Sequence, residues 1–143
     1  MVDPDGNRVQ LVPPGFDGVI QLGVAMGVRS LREHRRFYGD ILGFAEQSRS
    51  GGPAFRRLGG SLLLLEEDGA ATVNPVRQAS GWRYITLQIA DIDAVHGELR
   101  SRGVREGLAP ITFGDVARIS MILDPDGNWV ELSRRASIVG GLS

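Results

Sequence analysis

Glu131 is a carboxylate in an alternating stretch, two residues after Trp129 and directly behind the turn string Asp124-Pro125-Asp126-Gly127-Asn128. Buried among apolar neighbours, such a carboxylate has a raised pKa and can move a proton from an activated carbon or an epoxide. The nine-residue string around it, DPDGNWVEL, occurs again at Asp3–Leu11 as DPDGNRVQL, with Gln10 in place of Glu131. A carboxamide there can hydrogen-bond but cannot take the proton. The chain holds two histidines and no cysteine, so thiolate metal sites, disulfides and a cysteine nucleophile are excluded. His34 falls one turn from Phe37 and Tyr38 on a helical face and reads as a core-edge residue. His96 follows Val95 on a second helix and reads as a surface or flanking residue.

The repeated string is a turn with a mechanism. Proline presets one dihedral, glycine supplies a positive φ, and the Asx side chains bond the nearby backbone. Each copy then leads into a strand. The first, Asp3–Val12, stops at Pro13-Pro14-Gly15. Val19–Val28 reads as a strand with bulky Ile20, Leu22, Val24 and Met26 on one face and Gln21, Gly23, Ala25 and Gly27 on the other. Ser30 and Glu33 form a capping box that opens a helix to Leu42, with Gly43 as its stop. Phe55–Leu58 and Ser61–Glu66 flank Gly59-Gly60 as a two-residue hairpin, and residues 67–80 read as a surface linker. The order then recurs: a strand at Arg83–Ile89, a helix from Asp91 to about Arg102, and strands at Ala117–Leu123 and Trp129–Ser133 around the second turn. Strand, helix and further strands, met twice, indicate a duplicated α+β domain.

A chain of 143 residues fits one such domain. Its net charge of −1, with acidic and basic residues interspersed, disfavours nucleic acid and anionic membrane as partners. No apolar run approaches the roughly 20 residues of a spanning helix, and the first residues do not read as a signal peptide, so cytoplasm is the expected location.

Gly23–Phe44, with its Phe37-Tyr38 and Leu42-Gly43-Phe44, Thr86–Gly103 with Asp91-Ile92-Asp93, and Asp124–Leu132 together resemble the vicinal oxygen chelate superfamily, which includes glyoxalases, bleomycin resistance proteins and extradiol dioxygenases. The resemblance implies paired βαβββ units forming a curled mixed-sheet cup with helices on the outside. It also implies a divalent ion held by a His or Gln on the first strand, a His on the fifth and a Glu on the eighth. Carried over, the third position is Glu131, the second is Tyr84 and the first is Gly23, with Gln21 two residues earlier on the same face. The phenol stays protonated near pKa ~10 and glycine offers no side chain, so the usual ligand set is missing. No metal ligand is assigned, and no cofactor is named from the residues; a divalent metal stays open as an alternative although its usual ligand set is missing.

Strand alternation in that fold turns Gln21, Gly23, Ala25, Tyr84, Thr86, Gln88, Trp129, Glu131 and Ser133 into the cup. Leu62 and Leu64 add apolar wall, Leu64 being the internal equivalent of Glu131, and Phe55 and Phe113 are rim candidates. Glu131 and Tyr84 are the catalytic candidates, acid–base group and oxyanion donor. Gln21, Leu62, Leu64, Thr86 and Trp129 are the ligand-binding candidates. Two functions fit: a lyase, isomerase or oxygenase of the glyoxalase type, or a metal-free protein that sequesters a drug-like or aromatic metabolite. A small-molecule ligand and a homodimer are the partners the resemblance implies. The domain is expected at residues 18–135, with halves at about 18–67 and 82–135. Residues 136–143 are expected to be a flexible tail, and residues 1–17 resemble the end of a preceding module.

Overall fold

Two stretches of the chain each build a four-stranded mixed sheet, in the computed structural model that describes all residues except 5, 7, 17, 18, 48–54, 59, 79–82 and 141–143, and only the backbone of 55–58. The units are Met1–Thr72 and Val73–Ser143. The first contains β1 (Leu22–Val28), α1 (Leu31–Arg35, continued by a π-helical segment Arg36–Ile41), β2 (Ala45–Gln47), β3 (Phe55–Leu58) and β4 (Ser61–Glu67). The second contains β5 (Tyr84–Gln88), α2 (Ile92–Ser101), β6 (Arg105–Phe113), β7 (Ala117–Leu123), β8 (Trp129–Arg135) and a single turn α3 (Ala136–Val139) at the start of the expected tail. The sheet orders are β1-β4-β3-β2 and β5-β8-β7-β6, with the first pair of each parallel and the rest antiparallel. This is the βαβββ unit, twice.

In the first unit, α1 lies over the β-face that carries Met26, Val28, Leu63 and Leu65, all buried. The Leu31 N–H donates to the Glu67 carboxylate at 3.1 Å, and Arg35 pairs with Glu46, both acids lying on that same face. Ser30 caps α1 by accepting from Glu33 N–H at 3.4 Å. The helix does not run on regularly to Leu42. The N–H of Leu42 reaches the Phe37 carbonyl, five residues back, at 2.9 Å, and the wider turn brings both Phe37 and Tyr38 inward. Tyr38 meets Phe37 edge-on at 5.0 Å and stacks near Phe44 and His34. His34 is fully buried there, its Nδ1–H donating to the Ser30 carbonyl at 2.9 Å. The first strand is shorter than its alternation predicts: it begins at Leu22, and Ile20 and Leu22 are exposed rather than packed.

In the second unit, Asp91 caps α2 by accepting from Ala94 N–H at 3.0 Å. Ile92 and Leu99 bury against the face formed by Leu87, Ile122, Val130 and Leu132. His96 is not a surface residue. It is 5% exposed and its Nε2–H donates to Glu106 at 2.7 Å, tying the helix to β6. Arg118 on β7 holds Asp93 in two bonds of 2.8 and 2.6 Å, and its guanidinium keeps that carboxyl below the usual range. This exposed latch is complete above the ordinary aspartate pKa and is lost as pH falls through the lowered value. Strands β2 and β6 carry no clear alternation in the sequence; β6 contains Gly107 and Pro110 and shifts register around each, which an edge strand tolerates. Among the described residues, no helix is long and apolar enough to cross a membrane.

The turn at 124–128 fixes how β7 meets β8. Asp124, 1% exposed, accepts from the N–H groups of Gly127 and Asn128 at 2.9 and 2.8 Å and from Asn128 Nδ2 at 2.8 Å. Gly127 takes φ 101°, and Arg105 donates to the Asp124 and Pro125 carbonyls from β6. Replacing Asp124 with alanine should remove about 3 kcal/mol or more of unfolding free energy, because several buried donors lose a charged acceptor at once. Denaturant unfolding of the Asp124→Ala protein measures this.

Candidate functional site

On the β-face opposite α2, strand register sets the neighbours. Tyr84 pairs with Trp129, Thr86 with Glu131 and Gln88 with Ser133 across the parallel β5–β8 ladder. On the other side of β8, Leu123, Met121 and Ile119 flank Trp129, Glu131 and Ser133 in turn. Partners in a ladder share a face, so all six residues expected from β5 and β8 project together, between an open strand edge and an apolar wall.

The polar atoms of this row have little to bond to. Glu131 is 5% exposed, and its carboxylate makes no hydrogen bond or ion pair among the described residues. Among the described residues, Trp129 Nε1–H, two residues before it, is buried without an acceptor, and Ser133 Oγ, two residues after it, is buried without a partner. An unpaired buried donor or acceptor costs about 1–3 kcal/mol, so Trp129 Nε1 and Ser133 Oγ, two such atoms among the described residues on either side of Glu131, are stabilised by an occupant with matching polar atoms. Tyr84 is half-buried and diagonal to Glu131, within the range at which a long side chain reaches a diagonal neighbour. The residue sequence reading missed is Gly107. A Cβ there would run into the indole of Trp129, and would lie 3.3 Å from Leu123 Cδ2. The ring therefore lies on bare backbone, and glycine inside a strand is the signal for such a close approach.

In the first unit, the corresponding ladder pairs Gly23 with Leu62 and Ala25 with Leu64. Leu64 therefore stands where Glu131 stands in the second, and Gly23 where Tyr84 stands. Leu62 is buried and Leu64 half-buried on the face away from α1. Gln21 lies just before β1 rather than within it, its carboxamide packed on the backbone of Gly60, where a Cβ would come within 2.5 Å of Oε1. At Gly23 a Cβ would meet Val19 Cγ2 at 3.0 Å and Leu64 Cδ1 at 3.4 Å. Apolar side chains thus occupy the space beside the first ligand position. Both imidazoles lie on the helix side of their own sheets, and among the described residues no three of His, Cys, Asp and Glu gather as a metal site. Of the three positions that the resemblance implies, Gly23 has no side chain and Tyr84 carries a phenol, which leaves Glu131 as the one carboxylate or imidazole ligand among them. Phe113 is half exposed at the end of β6; the side chain of Phe55 lies outside the described residues.

Known proteins agree with this architecture. A family model for the Glyoxalase/Bleomycin resistance protein/Dioxygenase superfamily matches residues 21–132. A catechol-2,3-dioxygenase from Bacillus subtilis (strain 168) is 31% identical over 109 residues, covering 73% of this chain; the match spans 38% of that relative's length. Among solved structures, a glyoxalase/dioxygenase from Nostoc punctiforme superposes with a TM-score of 0.66 at 21% identity, covering 90% of this chain and 99% of its own. A lactoylglutathione lyase from Agrobacterium tumefaciens gives 0.62 at 21% identity, over 80% and 92% respectively.

The Gly107→Ala protein should lose about 1–3 kcal/mol of stability as the methyl displaces the ring. The Trp129 Nε1–H resonance should shift in its NMR spectrum, while the α2 amides stay in place.

Proposed function

The chain belongs to the Glyoxalase/Bleomycin resistance protein/Dioxygenase superfamily, and from that premise we propose that it binds a small oxygenated molecule against the β5–β8 face and moves one of its protons with Glu131, without the family's divalent ion. The observation that carries this reading is the buried Glu131 carboxylate between two polar atoms without a partner among the described residues, Trp129 Nε1 and Ser133 Oγ. An indole N–H can only donate, a hydroxyl can do both, and a carboxylate accepts. Such a row suits a planar molecule with an oxygen at one end and an acidic C–H or O–H in the middle. Trp129 and Tyr84 supply apolar area beside it.

In the catalytic form of the proposal, Glu131 takes a proton from a carbon acid and the electron pair passes to the adjoining carbonyl oxygen. The Tyr84 O–H donates to that oxyanion. With an α-hydroxy carbonyl, the hydroxyl proton passes to the oxyanion and Glu131 returns its proton to the former carbonyl carbon, so the hydroxyl carbon becomes the new carbonyl and an isomerisation is complete; departure of a β-substituent with the electron pair makes the protein a lyase. The packing of Val19 and Leu64 beside Gly23 favours a second reading, a metal-free protein that holds an aromatic metabolite without changing it.

Catechol, the molecule named in the relative's activity, is a direct probe. It should raise the melting temperature of the wild-type protein, and Trp129→Ala or Tyr84→Ala should abolish the rise. The purified protein should carry far less than one equivalent of zinc, manganese, iron or nickel. Proton transfer is read by NMR as wash-out of the C–H protons of hydroxyacetone in deuterium oxide, slowed about 100-fold or more in Glu131→Gln. Binding without wash-out selects the sequestering protein, and a stoichiometric metal lost on Glu131→Gln overturns the metal-free site.

A further inference from the structure

Beyond Ser133 the same face of β8 carries one more side chain. Arg135 ends the strand and pairs with Ala117, as Ser133 pairs with Ile119. Strand alternation turns it to the side of Trp129, Glu131 and Ser133, while Arg134 shares the α2 side with Val130 and Leu132. Arg135 is exposed, and its guanidinium forms no ion pair or hydrogen bond among the described residues. Arg118, by contrast, is held by Asp93 and Thr112. Gln88, also exposed, stands beside Ser133 across the β5–β8 ladder. The face therefore changes character along its length. Its first pair, Tyr84 and Trp129, is aromatic, and its second, Thr86 and Glu131, holds the candidate acid–base group. The third, Gln88 and Ser133 with Arg135 behind it, is rich in hydrogen-bond donors and carries the positive charge.

We propose that the Ser133–Arg135 end of β8 is an anion subsite, and that the molecule bound beside Glu131 is an oxo acid whose carboxylate rests there. The proposal builds on the reading of Glu131 as the group that moves the proton. The buried Ser133 hydroxyl lacks a partner among the described residues, and the guanidinium two positions on lacks a counter-charge. A carboxylate answers both, accepting from the Ser133 O–H and from the N–H fork of Arg135. A neutral carbonyl would serve the hydroxyl and leave the charge to water. An ammonium group would meet a like charge at Arg135, and a doubly charged phosphate would find one cation. Exposure runs the right way as well: a carboxylate at Arg135 keeps part of its hydration, whereas the reacting carbon lies further along, beside buried Glu131. Strand spacing then sets the length of the molecule. Two residues span about 6.6 Å, which an extended chain of roughly four or five bonds covers between the reacting C–H and the carboxylate. The methyl carbon of laevulinate lies at that distance from its carboxylate.

Laevulinate and its methyl ester, which differ by that charge, test the subsite by NMR titration of the whole chain. The acid should bind about tenfold or more tightly than the ester, and the preference should shrink as salt is raised. Arg135→Gln should make the two compounds bind alike, Arg135→Lys should restore part of the difference, and Ser133→Ala should reduce it. Arg102→Gln, which removes a charge at the end of α2, should keep the preference whole. Equal affinity for acid and ester, no binding of either, or a preference that survives Arg135→Gln overturns the subsite. Wash-out of the hydroxyacetone C–H protons, a molecule without a carboxylate, reports on Glu131 separately. Wash-out with no preference for the acid removes the anion subsite and leaves the proton transfer standing. A preference for the acid without wash-out supports the subsite and assigns it to a protein that holds its ligand unchanged.

Discussion

The buried carboxylate of Asp124 is the constraint on which the second unit depends. By gathering the Gly127 and Asn128 amides and the Asn128 side chain, it leaves β7 and β8 one register in which to meet. Side chains alternate with a period of two, so a slip of one residue would send Glu131 under α2 and bring Val130 and Leu132 to the opposite face. The position of the one candidate acid–base group is thus a consequence of turn chemistry several residues away. Arg105 reinforces the same point from β6, donating to two carbonyls of the turn.

The two units share a pairing scheme and differ in what they place on it. Where the second presents Tyr84, Thr86, Trp129 and Glu131, the first presents Gly23, Ala25, Leu62 and Leu64 at the equivalent pairs. One ladder has become polar and aromatic and the other small and apolar, with no change in backbone order. Specialisation on one half is compatible with the fold because the helix-covered faces are apolar in both.

Much of this was legible in the chain. The caps at Ser30 and Asp91 and the turn at Asp124–Asn128 are local signals, each satisfied by residues a few positions away, and the alternation of β5 and β8 placed six residues on one face. What stayed hidden depends on partners distant in sequence. Strand β6 is held by pairing with β7 despite Gly107 and Pro110, and its glycine has a purpose only once Trp129 lies over it. His96 reads as a flanking residue until Glu106, ten positions on, comes within hydrogen-bond reach. The π-helical turn at Arg36–Ile41 escapes a 3.6-residue pattern by definition, since it lets neighbouring Phe37 and Tyr38 bury together.

In each sheet the last strand made is an inner one. β4 enters between β1 and β3, and β8 between β5 and β7. During synthesis, therefore, β5, α2, β6 and β7 must emerge before the piece that joins β5 to the rest exists, and the apolar faces of Leu87 and Ile122 wait uncovered until it arrives. Non-local closure of this kind is slow and leaves strand edges open to other chains. The stretch that carries Glu131 is accordingly a point of vulnerability in biogenesis: a ribosome halted after the Asp124 turn releases a sheet split in two, not one missing its edge.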